Sequence, residues 1–127
     1  MRKLLIGLVL SLVATAASAE WVLAFEAGTG EKFYANPTTK KRTGDTVRIW
    51  ELQDFSKPAV LDGKPVYSIR LYRQYDCAER TGQSLQTATF AGNMAAGESL
   101  GISTQPGTKR FIAPGTAANA MLNFACK

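Results

Sequence analysis

Between Pro65 and Cys77 the side chains alternate with a period of two. Tyr67, Ile69, Leu71, Tyr75 and Cys77 fall on one face of an extended segment. Ser68, Arg70, Gln74 and Asp76 fall on the other, with Tyr72 among them. Arg73 is the polar exception on the apolar face. A strand with one apolar and one polar face belongs to an antiparallel sheet packed on one side only. The rest of the chain must supply partners for that strand and a cover for its apolar face.

The partners are readable between the glycines and prolines. Trp21 to Phe25 and Glu31 to Ala35 are strand candidates rich in aromatic and β-branched residues, joined by Gly28-Thr29-Gly30, a connection suited to a hairpin. Asn36-Pro37 is expected to end the second strand, and Lys40 to Asp45 to form a polar loop with Gly44-Asp45 as its turn. Thr46 to Phe55 is the third strand, and Pro58 with Asp62-Gly63 marks a long polar connection. After the alternating strand come Ser84 to Ala91 and two shorter candidates, Leu100 to Thr104 and Arg110 to Ala113.

The cover is at the C-terminus. Pro114-Gly115 breaks the strand pattern and Thr116 is placed to cap a helix. On a helical wheel Ala118, Met121, Leu122, Phe124, Ala125 and Cys126 share one side, and Asn119, Ala120, Asn123 and Lys127 the other. Lys127 is placed to favour the negative end of the helix dipole. The expected fold is α+β, mainly β: an antiparallel sheet of about five to six strands with a C-terminal amphipathic helix.

Residues 1–19 read differently. Arg2 and Lys3 precede an apolar stretch from Leu4 to Ala14, and Ala17-Ser18-Ala19 ends it with small residues. That is the charged start, apolar middle and A-x-A end of a cleavable signal peptide. The stretch is shorter than the ~20 apolar residues a spanning helix needs. No Cys lies at the expected cleavage site to accept a lipid. The expected division is a signal peptide over residues 1–19 and one domain over 20–127, exported to a periplasm, the cell surface or the medium. Removing Arg2 and Lys3 from 15 basic residues leaves 13 against 10 acidic ones, a net charge of +3. Such a balance gives weak attraction to anionic surfaces and no signature of nucleic-acid binding. Cys77 and Cys126 are the two cysteines of the chain. An even count in an exported chain reads as one disulfide, the alternative being two separate buried thiols. With the bridge formed, the helix is tethered to the apolar face of the sheet.

Val47-Arg48-Ile49-Trp50, Tyr67-Ser68, Tyr75-Asp76-Cys77, Ile112-Ala113-Pro114-Gly115-Thr116 and the final Cys126 occur in an order that resembles the surface-adhesin protein E-like family of exported bacterial proteins. Phe111 stands where the family pattern suggests Trp. The resemblance implies a curved antiparallel sheet with a disulfide-held C-terminal helix. It also implies adhesion to host or extracellular-matrix proteins. The alternative is a soluble periplasmic interaction or inhibitor protein.

Catalytic chemistry has little to work with. The chain has no His, which removes Ser-His and Cys-His nucleophiles and His-dependent zinc sites. Gly28-Thr29-Gly30 lacks the strand-to-helix context of a phosphate loop. Asp76 and Glu79 are the nearest thing to an acid/base pair and read as solvated carboxylates near Arg73 and Arg80. No enzyme activity, cofactor or metal is expected. Lys40-Lys41-Arg42 is the densest charge and the candidate contact for an anionic partner. Trp50, Tyr72 and Tyr34 are candidates for an aromatic surface, or for cross-strand packing.

Overall fold

The computed structural model describes residues 20–127, and the expected signal peptide lies outside the described residues. The strands in chain order are β1 (Val22–Glu26), β2 (Lys32–Thr43), β3 (Thr46–Leu61), β4 (Lys64–Asp76), β5 (Thr81–Phe90), β6 (Ser99–Ser103) and β7 (Arg110–Phe111), followed by the helix α1 (Ala117–Cys126). β1 to β6 are neighbours in chain order in one antiparallel sheet. β6 pairs with the end of β5, and β7 pairs with its start at Thr81 and Gly82. This is the α+β arrangement expected from the alternation in β4, with every strand candidate present.

Two expected boundaries are corrected. Asn36-Pro37 does not end β2, and Lys40 to Asp45 is not a loop: the strand runs on to Thr43 across a bulge between Asn36 and Lys41. Proline has no N–H for the ladder, and local side chains take over. Asn36 Oδ1 accepts from Thr38 N at 3.2 Å and from Thr38 Oγ1 at 2.6 Å, and Thr39 Oγ1 donates to Asn36 O at 2.7 Å. Only Gly44 and Asp45 remain as the turn, with Thr43 opposite Thr46. Likewise, Pro58 to Gly63 is not a long connection. Asp62 and Gly63 take φ of +51° and +74°, the backbone of a two-residue type I′ hairpin. β3 therefore reaches Leu61, which pairs with Lys64.

The register sorts side chains onto two faces. Val47 lies opposite Tyr75, Ile49 opposite Arg73 and Glu51 opposite Leu71. This face carries the core of Ala35, Val47, Ile49, Tyr75 and Ile112, which Met121, Leu122 and Ala125 of α1 cover. Thr116 caps the helix as expected, its side chain accepting from Asn119 N at 3.1 Å. Ala118 lies on the same side of α1 as Met121, lining the space between helix and sheet with it, but it stays exposed in the first turn. Cys77 and Cys126 are disulfide-bonded, with Cα atoms 5.8 Å apart, so the bridge ties the last turn of α1 to the end of β4. Lys127 is the C-cap residue, its Nζ 5.8 Å from the centre of the Phe124 ring, and it is not the only cation at the helix end. Lys40 Nζ donates to Lys127 O at 2.8 Å and Arg42 Nη1 to Cys126 O at 3.2 Å, placing two β2 cations at the negative end of the dipole.

The opposite face has its own cover, one the alternation gives no hint of. Residues 91–96 fold back over the even-numbered positions through a short 3-10 turn, Asn93–Ala95. Ser68, fully buried, donates its hydroxyl to Gly92 O at 2.6 Å and accepts from Ala95 N at 2.9 Å. Asp54 Oδ1 accepts from Met94 N at 2.8 Å and Asn93 Nδ2 at 3.1 Å. These bonds hold Met94 and Ala95 at φ of +56° and +58°. Gly92 is required there, since a Cβ would lie 2.7 Å from Ala96 O. Gly92→Ala is expected to lower stability by ~1–3 kcal/mol, read as a lower urea midpoint; an unchanged midpoint would show that the turn relaxes freely.

Candidate functional site

Across the middle of β3 and β4 the even-numbered positions are not covered by the helix or fully by the 91–96 turn. Trp50 lies opposite Tyr72 and opposite Asn36 of β2. The pairing brings the Trp50 and Tyr72 rings to 4.7 Å between centroids at 35°. The Trp50 backbone N–H donates to Thr39 Oγ1 at 3.1 Å, so the irregular stretch after Pro37 holds β3 at this position. Arg70, two residues from Tyr72, carries its guanidinium 5.5 Å from the centre of the Trp50 ring and 5.3 Å from that of Phe90. A cation over aromatic faces is held electrostatically and partly dehydrated. The Nε of Arg70 is enclosed and has no hydrogen-bond partner among the described residues.

Trp21, Asn36, Thr39, Trp50, Arg70, Met94 and Ala95 enclose a groove of about 550 Å³, within the ~300–1,000 Å³ of small-ligand sites. Beyond the Trp50–Tyr72 pair, a second hollow of about 450 Å³ is lined by Lys41, Thr43, Thr46, Arg48 and Tyr72. Arg48 lies opposite Lys41 and donates from Nε to Gln74 Oε1 at 2.8 Å. Neither hollow has a carboxylate in its lining.

The basic cluster read from the sequence is divided by the pleat. Lys40 and Arg42 point to the helix side and bind its last carbonyls, and Lys41 points to the groove side beside Arg48. Tyr34, at an even position opposite Leu52, lies on the same face as Trp50. Asp76 and Glu79 do not form an acid/base pair. Asp76 Oδ1 accepts from Ala78 N at 3.0 Å and Glu79 N at 2.8 Å, and exposed Glu79 stands 3.7 Å from Lys109. Their expected neighbours are engaged elsewhere: Arg73 Nη1 donates to Ser84 Oγ at 2.6 Å, and Arg80 Nη2 to Asn119 and Asn123 of α1.

Sequence reasoning passed over one ionisable group. Glu51 sits on the helix side, 6% exposed, and accepts a hydrogen bond from the Tyr75 hydroxyl. Burial raises its pKa to about 7, against the opposing pull of the Tyr75 hydrogen bond and the Arg73 charge. Burial, with the Glu51 charge, also raises Tyr75 well above the usual tyrosine range. A cavity of about 190 Å³ between sheet and helix adjoins Glu51, Arg73 and Tyr75. The signal was present, since Arg73 is the misplaced cation on the apolar face and Glu51 is its misplaced anion one strand away. Among the described residues no three His, Cys, Asp or Glu side chains come together to hold a metal ion.

The family model described as surface-adhesin protein E matches residues 21–127. The chain belongs to the surface-adhesin protein E family. Solved structures of Haemophilus influenzae protein E resemble this family member closely in fold. Crystal form II of that protein gives a TM-score of 0.67 at 13% identity, covering 88% of this chain and 91% of that one. A selenomethionine form gives 0.65 at 12% identity, covering 88% and 89%. Protein E from a non-typeable strain gives 0.62 at 14% identity, covering 88% and 78%. At such identities the likeness of the surface-adhesin chain to them is one of fold alone. No curated protein matches the sequence. Among the described residues no helix is long and apolar enough to cross a membrane.

Proposed function

We propose that this surface-adhesin E family member is exported by cleavage after Ala19 and works as a non-enzymatic binding module over residues 20–127. Its partner is a host extracellular-matrix protein, met through the sheet face that carries Trp50, Tyr72 and Arg70. The observation that carries this reading is the groove itself. Aromatic rings and a guanidinium whose Nε has no partner among the described residues stand together on a face left open by the helix, the kind of anchor that dominates binding surfaces. Lys41, with Arg48, supplies the anionic-partner contact on this face; Lys40 and Arg42 serve the helix end. Catalysis has no part in the proposal, since Asp76 and Glu79 are tied into a turn and an exposed ion pair.

Two measurements test it. Antibody against the domain should label intact cells; protein confined to osmotic-shock fluid would instead make it a periplasmic interaction or inhibitor protein. In binding to immobilised extracellular-matrix proteins, Trp50→Ala should weaken retention by about 30-fold with the circular dichroism spectrum preserved. Full retention by that variant would remove the groove from the binding surface.

A further inference from the structure

We propose that the groove and the hollow beside it bind a linear acidic glycan: pyranose rings rest on the indoles of Trp21 and Trp50, and carboxylates meet Arg70 and then Arg48 with Lys41. This rests on the reading of the open sheet face as the binding surface and names the chemistry it recognises.

Three observations select this ligand class. The first is charge. Arg70 is held between Trp50 and Phe90, its enclosed Nε without a hydrogen-bond partner among the described residues, and the lining of both hollows contains cations and no carboxylate. The nearby Asp54 is spent on Asn93 and Met94. A buried donor such as this Nε is costly without an acceptor, and a charge-assisted bond from the guanidinium to a carboxylate offsets that cost. An uncharged apolar ligand would leave it unrelieved.

The second is shape. Both Trp21 and Trp50 line the groove, with Tyr72 leaning on Trp50. A flat, C–H-rich pyranose face fits such rings, and its hydroxyls reach the Asn36 and Thr39 side chains in the same lining. A small inorganic anion would use Arg70 and none of the aromatic wall. The third is spacing. Arg70 lies opposite Leu52, and Arg48 is four residues before Leu52 on β3, ~13 Å along the strand. Lys41 stands beside Arg48. Cations so spaced, with an aromatic pair between them, suit successive acidic groups on an extended chain. The groove is also preformed, because the Asp54 and Ser68 hydrogen bonds fix the Met94 and Ala95 wall in its left-handed conformation.

The test is calorimetric titration of the exported protein with a hexasaccharide of alternating glucuronate and N-acetylglucosamine, against the neutral N-acetylglucosamine hexamer. Binding of the acidic hexamer should weaken with salt and exceed that of the neutral one. Arg70→Gln should weaken it about tenfold or more. Arg48→Gln, a surface change that leaves the aromatic packing alone, should weaken it less and reduce the salt dependence. No binding, equal binding of the neutral hexamer, or indifference to both substitutions overturns the proposal. So does equal displacement by a glutamate-rich peptide, which would make the ligand an acidic protein segment. If matrix proteins still bind in a Trp50-dependent way while the hexasaccharide does not, only the glycan assignment falls. If neither binds, the sheet face loses its role as the binding surface as well.

Discussion

Cys126→Ser should lower the stability of the folded domain by ~2–5 kcal/mol in oxidising buffer. The bridge closes a loop with a sequence separation of 49, for which the chain-entropy estimate is ~4 kcal/mol. A domain of this size has about 5–15 kcal/mol in total, so the bridge carries a large share of it. The helix does not depend on sulfur alone. Met121, Leu122 and Ala125 are buried against the sheet, and Lys40, Arg42 and Arg80 bind the helix from outside. The variant should therefore remain folded at neutral pH and room temperature, with an earlier urea midpoint. Reduced wild-type protein should unfold at the same midpoint as Cys126→Ser, because both lack the cross-link and keep the packing. An unchanged midpoint for the variant in oxidising buffer would mean that the bridge constrains nothing in the unfolded chain.

The path of this chain was readable where one physical rule acts alone. The alternation in Pro65 to Cys77 sets which side chains of β4 share a face, and the Thr116 cap and apolar wheel set the helix. Rules in competition were harder to read. Pro37 argues for a strand end, but Asn36, Thr38 and Thr39 supply the hydrogen bonds that proline cannot, so β2 continues. Asp62-Gly63 argues equally for a loop or a hairpin tip, and only pairing between distant residues decides. The binding face shows the same limit. Trp50, Tyr72 and Tyr34 were recognisable as candidates for one surface. That Arg70 slots between Trp50 and Phe90 depends on the β4–β5 register, which aligns Ser68 with Phe90. Lys40-Lys41-Arg42 looked like one cluster because adjacency in sequence hides the pleat. Once Lys40 to Thr43 is strand, neighbouring cations must point to opposite faces.

Glu51 shows why buried ionisable groups escape pattern reading: its strand position fits the alternation while its charge does not. Its folded pKa, about 7, lies above the unfolded value near 4.3, so the native state favours the protonated acid. Its stabilising contribution is then full below the unfolded value and is lost as pH rises through about 7. The span corresponds to about 4 kcal/mol between acidic and mildly alkaline solution. Glu51→Gln resembles the protonated acid and can still accept from the Tyr75 hydroxyl. Urea-unfolding free energies from pH 4.5 to 8.5 should fall for the wild type and stay flatter for Glu51→Gln, with the variant the more stable of the two at pH 8. The difference between the two profiles isolates Glu51 from every other carboxylate. A wild-type profile as flat as the variant's would show that the Arg73 guanidinium neutralises the carboxylate fully within the fold. In that case the Glu51–Arg73–Tyr75 cluster would be an ion pair at neutral pH rather than a buried acid.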